Sequence, residues 1–184
     1  MILVIDNGSS FIVDLLSCLN RLGINYEVKR YNELNIGYDD NNELVGYDAI
    51  ILSGRKSNDR FMNIVNMDIV KSAYKHNIPL LGICYGLEIM VLALNGTIIR
   101  MRERVTGINH VYVTCDTPIV DKGIIDVYES HLYEVARLPR NFVSIAFSNT
   151  CKNEVIMHTN KRIFGVQFHP EVSGVYGYEI IKRF

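Results

Sequence analysis

The sequence predicts an α/β fold: an open, mostly parallel sheet with helices on both faces, joined to a small antiparallel extension. Three observations predict it. The short unbroken apolar run at 1–5, and the apolar-rich runs at 47–52 and 79–83, have the look of buried strands. Apolar residues at helical spacing fill the stretches between them. From 97 onward strand signals follow one another, and no helix of any length appears until about 174–183.

Taken in order, Met1 to Ile5 is the first strand, and Asn7-Gly8-Ser9-Ser10 supplies a turn and a helix cap. Phe11, Ile12, Leu15, Leu16, Leu19 and Leu22 mark one face of a helix that Gly23 ends. Ile24 to Arg30 alternates as a second strand, and the polar stretch 32–45 is a surface connection. Tyr47 to Leu52 is a third strand, leading into Ser53-Gly54. A second helix covers 61–76. Pro79 to Ile83 is a buried strand, and Tyr85 to Leu94 a helix closed by Asn95-Gly96. The remaining strands are expected at 97–101, 108–114, 124–128, 142–147, 153–158 and 163–168.

A chain of 184 residues suits one domain, and no repeat, low-complexity tract or linker divides it. Its net charge of −1 gives no general pull toward nucleic acid. The local cluster Arg100, Arg102 and Arg104 is best read as a solvated face. No apolar run approaches the ~20 residues of a membrane span, and the start lacks the basic leader of a signal peptide, so a cytoplasmic location is expected. The cysteines at 18, 84, 115 and 151 have neither zinc-knuckle nor Cys-x-x-Cys spacing. Each is by default a small buried hydrophobe.

Cys84 needs a different explanation. In Gly82-Ile83-Cys84-Tyr85-Gly86 a buried strand runs straight into a helix, with glycines two residues to either side of the cysteine. This is the pattern of a nucleophile elbow, whose tight turn leaves no room for flanking β-carbons. The helix N-terminus there favours a thiolate. A second apolar strand ends in His169-Pro170-Glu171. Residues two apart in an extended stretch point the same way, and Pro170 biases His169 toward that conformation. The Glu171 carboxylate can then orient the His169 imidazole, as a third member orients the base of a triad.

On these two segments the chain resembles the class I glutamine amidotransferases, with a Gly-x-Cys-x-Gly elbow and a later His-Pro-Glu. Val4 to Gly8 and Ile50 to Gly54 are similar to that family's first strand and turn and to the strand feeding its oxyanion loop. Tyr128-Glu129-Ser130-His131 and Ser148 to Glu154 resemble segments of the separate glutaminase subunit of archaeal-type GMP synthases. The resemblance implies a flavodoxin-like sheet and hydrolysis of L-glutamine by Cys84, His169 and Glu171. It implies an oxyanion hole made by the backbone N–H of Tyr85 with that of Gly54 or Arg55. It further implies glutamine contacts from Glu88, Thr106, Gly107 and Ile108. It also implies ammonia delivery to a separate ATP-pyrophosphatase synthetase making GMP from XMP; the chain has no ATP-binding signature of its own, so ATP and Mg²⁺ belong to that partner and no cofactor or metal to this chain.

Three positions depart from the family pattern. Arg55 stands where a glycine is typical, and would resist a positive φ. Leu87-Glu88 replaces His-Gln; Glu88 is either a substrate contact that accepts but does not donate while ionised, or a helix surface residue paired locally. Thr106-Gly107-Ile108 is a weak match to the loop that grips glutamine. These departures leave two other functions open, a stand-alone hydrolase of γ-glutamyl compounds and a regulatory module on the same scaffold.

Overall fold

The computed structural model describes residues 1–34, 44 and 46–184. Thirteen regular elements follow in chain order: β1 (Ile2–Asp6), α1 (Ile12–Arg21), β2 (Tyr26–Arg30), β3 (Ala49–Leu52), α2 (Arg60–His76), β4 (Leu80–Ile83), α3 (Tyr85–Ala93), β5 (Thr97–Val113), β6 (Gly123–Arg137), β7 (Phe142–Phe147), β8 (Val155–His158), β9 (Ile163–Val166) and α4 (Gly174–Arg183). Most of the expected surface connection at 32–45 lies outside the described residues.

One mixed sheet carries all nine strands in the order β2-β1-β3-β4-β9-β8-β7-β5-β6. The pairs from β2 through β9 are parallel. The pairs from β9 through β6 are antiparallel, so the antiparallel part continues the parallel sheet. The last parallel strand, β9, comes from the far end of the sequence and lies directly beside β4. This one crossover brings the stretch after β4, which holds Cys84, next to the stretch after β9, which holds His169.

The inner parallel strands β1, β3, β4 and β9 are apolar on both faces because each face has its own core. Leu3 and Ile5 of β1 and Ile50 and Leu52 of β3 pack with α2 and α3, whereas Val4 and Ile51 pack with α1 and α4. Side chains of a strand alternate between its faces, and here both destinations are hydrophobic. Helix α1 ends as its glycine predicts: Gly23 has φ 66°, and the Gly23 and Ile24 N–H groups donate to Asn20 and Leu19 carbonyls. Its start differs from expectation. Ser9 Oγ accepts from the Phe11 N–H in a local turn, and Phe11, with no side-chain cap, precedes the helix. Helix α2 has a cap that its sequence pattern did not announce: Asp59 accepts from the Met62 N–H at 2.7 Å.

The second half departs from expectation in one respect. The runs at 97–101 and 108–114 are a single strand, β5, and the run at 124–128 is part of the longer β6. Residues 101–104 bulge out of register, and β6 pairs with β5 on either side of them, from Thr97 to Arg100 and from Val105 to Val113. No helix among the described residues is long and apolar enough to cross a membrane.

Candidate active site

Cys84 sits between β4 and α3 with φ 50° and ψ −104°. That positive-φ backbone is strained for any residue with a β-carbon, at a cost of roughly 1–3 kcal/mol. Close packing on either side holds it there. A β-carbon on Gly82 would lie 2.6 Å from the Gly86 carbonyl, and one on Gly86 would lie 2.3 Å from the Leu52 oxygen. The Cys84 N–H donates to the Val166 carbonyl of β9 at 2.8 Å, so the elbow is tied to the strand that leads to His169.

The residues after β9 form the expected pair. His169 Nδ1 lies 2.9 Å from Glu171 Oε1, and both side chains are buried. Phe11 packs its ring edge against the His169 ring with centroids 4.7 Å apart. A β-carbon on Gly54 would meet the ring's Cε1 at 2.8 Å, so the oxyanion-loop candidate touches the imidazole directly.

Cys84 opens on a cleft of about 510 Å³ walled by Arg55, Tyr85, Glu88, Arg104, Ser130 and His131, among others. His169 lines an adjoining hollow of about 170 Å³. Arg55, Lys56, Arg104 and Ser130 border both, so the hollow beside His169 adjoins the cleft beside Cys84. The Cys84 thiol donates to the Ser130 carbonyl at 3.9 Å. Its protonation state runs against the sequence expectation. Burial first, then the Glu88 and Glu171 carboxylates, push the thiol well above its ordinary value, outweighing the Tyr85 N–H and the Arg55 charge. At the helix N-terminus the sulfur is therefore held as a thiol until something accepts its proton.

Arg55 is not among the positive-φ residues, so the loop avoids the conformation an arginine resists. Its guanidinium lies over the Tyr85 ring at 4.2 Å and pairs with Glu88 Oε2 at 3.9 Å. It also donates to Asn58 and, at 3.2 Å, to Asn63 Oδ1, which accepts from the Tyr85 hydroxyl at 2.8 Å. Glu88 is thus a buried wall of the cleft, and the surface-residue reading of it is corrected: α3 lies with one side on β3 and the other under the loop at Arg55. Burial pushes the Glu88 carboxyl up, against the pull of Arg55, His131 and His169. Replacing Glu88 with glutamine removes a carboxylate that holds the thiol protonated. The pH at which Cys84 half-reacts with iodoacetamide should then fall; an unchanged profile would show that Glu88 does not control the sulfur.

Thr106, Gly107 and Ile108 line neither hollow. They belong to β5, where they pair with Ser130, Glu129 and Tyr128, and Ile108 is 75% exposed. The strand passes behind the residues that do face the thiol. Arg104, two residues earlier, is the one that reaches over, donating to Ser130 Oγ at 3.3 Å. Sequence reasoning read Arg104 only as part of a basic cluster, and missed Asn63, Phe11, Ser130 and His131 as site residues. Only the last two carried a signal, in the resemblance of 128–131.

Comparison with known proteins places the chain in a family. The family model described as glutamine amidotransferase class-I matches residues 3–184. The chain is 31% identical to the glutamine-hydrolyzing GMP synthase subunit of Methanocaldococcus jannaschii, covering 100% of this chain and 95% of that one. It is 27% identical to a glutamine-hydrolyzing GMP synthase of Yersinia pestis over 100% of its own length but only 36% of the relative's. Among solved structures, a putative GMP synthase subunit protein of Thermoplasma acidophilum superposes with a TM-score of 0.86 at 29% identity, covering 99% of this chain and 90% of the other. With the family model spanning all but the first two residues, the chain belongs to the class I glutamine amidotransferases.

Proposed function

We propose that this chain is the glutaminase subunit of a two-chain GMP synthase, hydrolysing L-glutamine at Cys84 and passing ammonia to a separate synthetase. The observation that carries the reading is the strained backbone of Cys84, kept at a strand–helix junction whose cleft adjoins the His169–Glu171 pair. Strain of this kind persists where the surrounding fold over-determines it, and such positions cluster at active sites. The likeness over full length to the Methanocaldococcus subunit supports the choice of partner reaction.

In this reading glutamine's γ-carboxamide carbon is attacked by the Cys84 sulfur as His169 takes the thiol proton. Glu171 orients the ring and stabilises its protonated form. The oxyanion is met by the Tyr85 N–H at the start of α3 and by the N–H of Gly54 or Arg55. His169 returns the proton to the departing nitrogen, ammonia leaves, and water hydrolyses the γ-glutamyl thioester to glutamate. Because burial holds the free thiol protonated, the resting chain is poised low. Glu88 is assigned to the glutamine amide, whose NH₂ its carboxylate can accept from. Thr106, Gly107 and Ile108 are left with backbone contacts at most. The chain acts as one domain in the cytoplasm, with ATP and Mg²⁺ on the synthetase.

The test is a glutaminase assay with and without a GMP-forming synthetase of the ATP-pyrophosphatase type. Activity should be low alone and rise on mixing by roughly tenfold or more, a change of about 1.4 kcal/mol in barrier. Turnover of γ-glutamyl amides or peptides by the isolated chain, unchanged by the synthetase, would favour the stand-alone hydrolase instead.

A further inference from the structure

Strand β6 touches both halves of the candidate active site through its backbone. The Tyr128 carbonyl accepts from the His169 N–H at 2.8 Å, and the Tyr128 N–H donates to Ser173 Oγ, which in turn donates to the His169 carbonyl. Two residues on, the Ser130 carbonyl accepts from the Cys84 thiol. Three residues of extended chain therefore span from the imidazole's backbone to the sulfur.

The residues at 129 and 131 hold that ruler in place. Their side chains leave the strand on the same side, as residues two apart do. Glu129 and His131 are 0% and 2% exposed, and they meet Glu154, 0% exposed, from the segment between β7 and β8. His131 Nδ1 lies 2.9 Å from the Tyr133 carbonyl, which only accepts, so this nitrogen carries a proton. His131 Nε2 lies 2.8 Å from Glu129 Oε2. Ser148 Oγ donates to Glu154 Oε1 at 2.7 Å. Glu129 Oε1 and Glu154 Oε2 are left buried with no donor. Two carboxylates this close, with one imidazolium between them and water, do not both ionise. A proton on one of them supplies the missing donor and leaves the cluster neutral.

We propose that Glu129, His131 and Glu154 form a proton-bridged anchor that positions the Tyr128–Ser130 backbone, and through it sets the spacing of Cys84 and His169. This rests on Cys84 being the nucleophile. The other ionisable groups facing the cluster are Glu134 on β6, Cys151 beside Glu154, and Glu88 across the cleft from His131. All three are acidic, so none supplies the missing positive charge. Burial, and then Glu129, push the Glu154 carboxyl up, which agrees with a retained proton. The Cys151 thiol is raised by the same surroundings and stays neutral.

Glutamine at 154 imitates the protonated acid: its amide donates to Glu129 and its oxygen still accepts from Ser148. Glu154→Gln should therefore keep kcat for glutamine within about twofold, while Glu154→Ala lowers kcat roughly tenfold or more with KM changed less than about twofold, the pattern of misplaced catalytic groups. A second readout does not need catalysis. A carboxyl whose pKa is raised on folding stabilises most below its unfolded value and loses that contribution as pH rises through its folded value. The Tm of the native chain should fall between about pH 5 and 9, and by one proton's slope less in Glu154→Gln. Equal slopes would overturn the shared proton, as would a stoichiometric divalent metal in the purified native chain that Glu154→Gln loses. A folded Glu154→Ala with native kcat would overturn the positioning role. If the native chain neither hydrolyses glutamine with its synthetase nor reacts at Cys84 with a glutamine-analogue chloroketone, the nucleophile assignment fails instead, and the Tm slopes still decide the proton.

Discussion

Cys84→Ala is expected to abolish glutamine hydrolysis, with kcat reduced by roughly 10⁴-fold or more, the scale at which loss of a nucleophile is felt. Cys84→Gly should be equally inactive but more stable than Cys84→Ala. The difference should be on the order of 1 kcal/mol, because glycine relieves the φ of 50° that alanine must keep. The pair of variants separates two explanations of the elbow. If the unusual backbone exists only because the chain must turn there, stability and activity have no connection. If the fold holds a strained cysteine for its chemistry, the variant that relaxes the backbone gains stability at a position where the native residue costs it. Thermal unfolding of the two variants, beside a glutaminase assay with the synthetase present, reads both. Hydrolysis retained by Cys84→Ala would end the assignment of this sulfur. The Cys84→Ala chain should still bind the synthetase, since the side chain lies within the cleft and is 7% exposed.

The elbow was legible because its requirement is local. Gly82 and Gly86 flank Cys84 for steric reasons that hold whatever the rest of the chain does, and the same is true of the His169-Pro170-Glu171 turn. The inner parallel strands were legible for a related reason: they are buried on both faces, and a run such as Leu3-Val4-Ile5 has no other use. The pairing of β4 with β9 joins residues about eighty positions apart and leaves no periodicity to read. The long strand β5 was missed because its middle, Arg102 to Arg104, is charged and exposed. Its partner β6 holds it on either side of that stretch, which bulges out of register. Charge is ambiguous in sequence where context matters. Glu88 carries a surface-type side chain, yet it lies on the first turn of a helix trapped between β3 and the Arg55 loop. Glu129 and Glu154 carry the same ambiguity, because their burial depends on the segment at 148–154 folding over β6. Polar residues announce their type in a sequence; whether they face water depends on which distant segment covers them.

Gly86→Ala tests the packing that sets the cleft's geometry. The added carbon would lie 2.3 Å from the Leu52 oxygen, 2.9 Å from its Cβ and 3.0 Å from its carbonyl carbon. Two of those atoms are backbone of the central strand β3, so the strain cannot be relieved by a rotamer change. Helix α3 must move away from β3. Tyr85 and Cys84 move with it, while Ser53 and Gly54 stay with β3, and the two proposed sources of oxyanion N–H groups separate. Overpacking of this kind costs about 1–3 kcal/mol, and a displacement near 1 Å at reacting groups is enough for roughly a 10²-fold loss of rate. Gly165→Ala is the control. Its β-carbon would meet Leu87 Cδ1 at 2.4 Å and Met90 Cε at 2.8 Å, both ends of flexible side chains on the same helix, and only then Leu87 Cβ at 3.3 Å, with no backbone atom among the three. Those side chains can turn aside and leave α3 where it is. Gly165→Ala should therefore lose some stability but little kcat, whereas Gly86→Ala loses both. Equal kcat values for the two variants would mean that the distance between α3 and β3 does not govern the reaction, and that the oxyanion hole draws its donors from elsewhere.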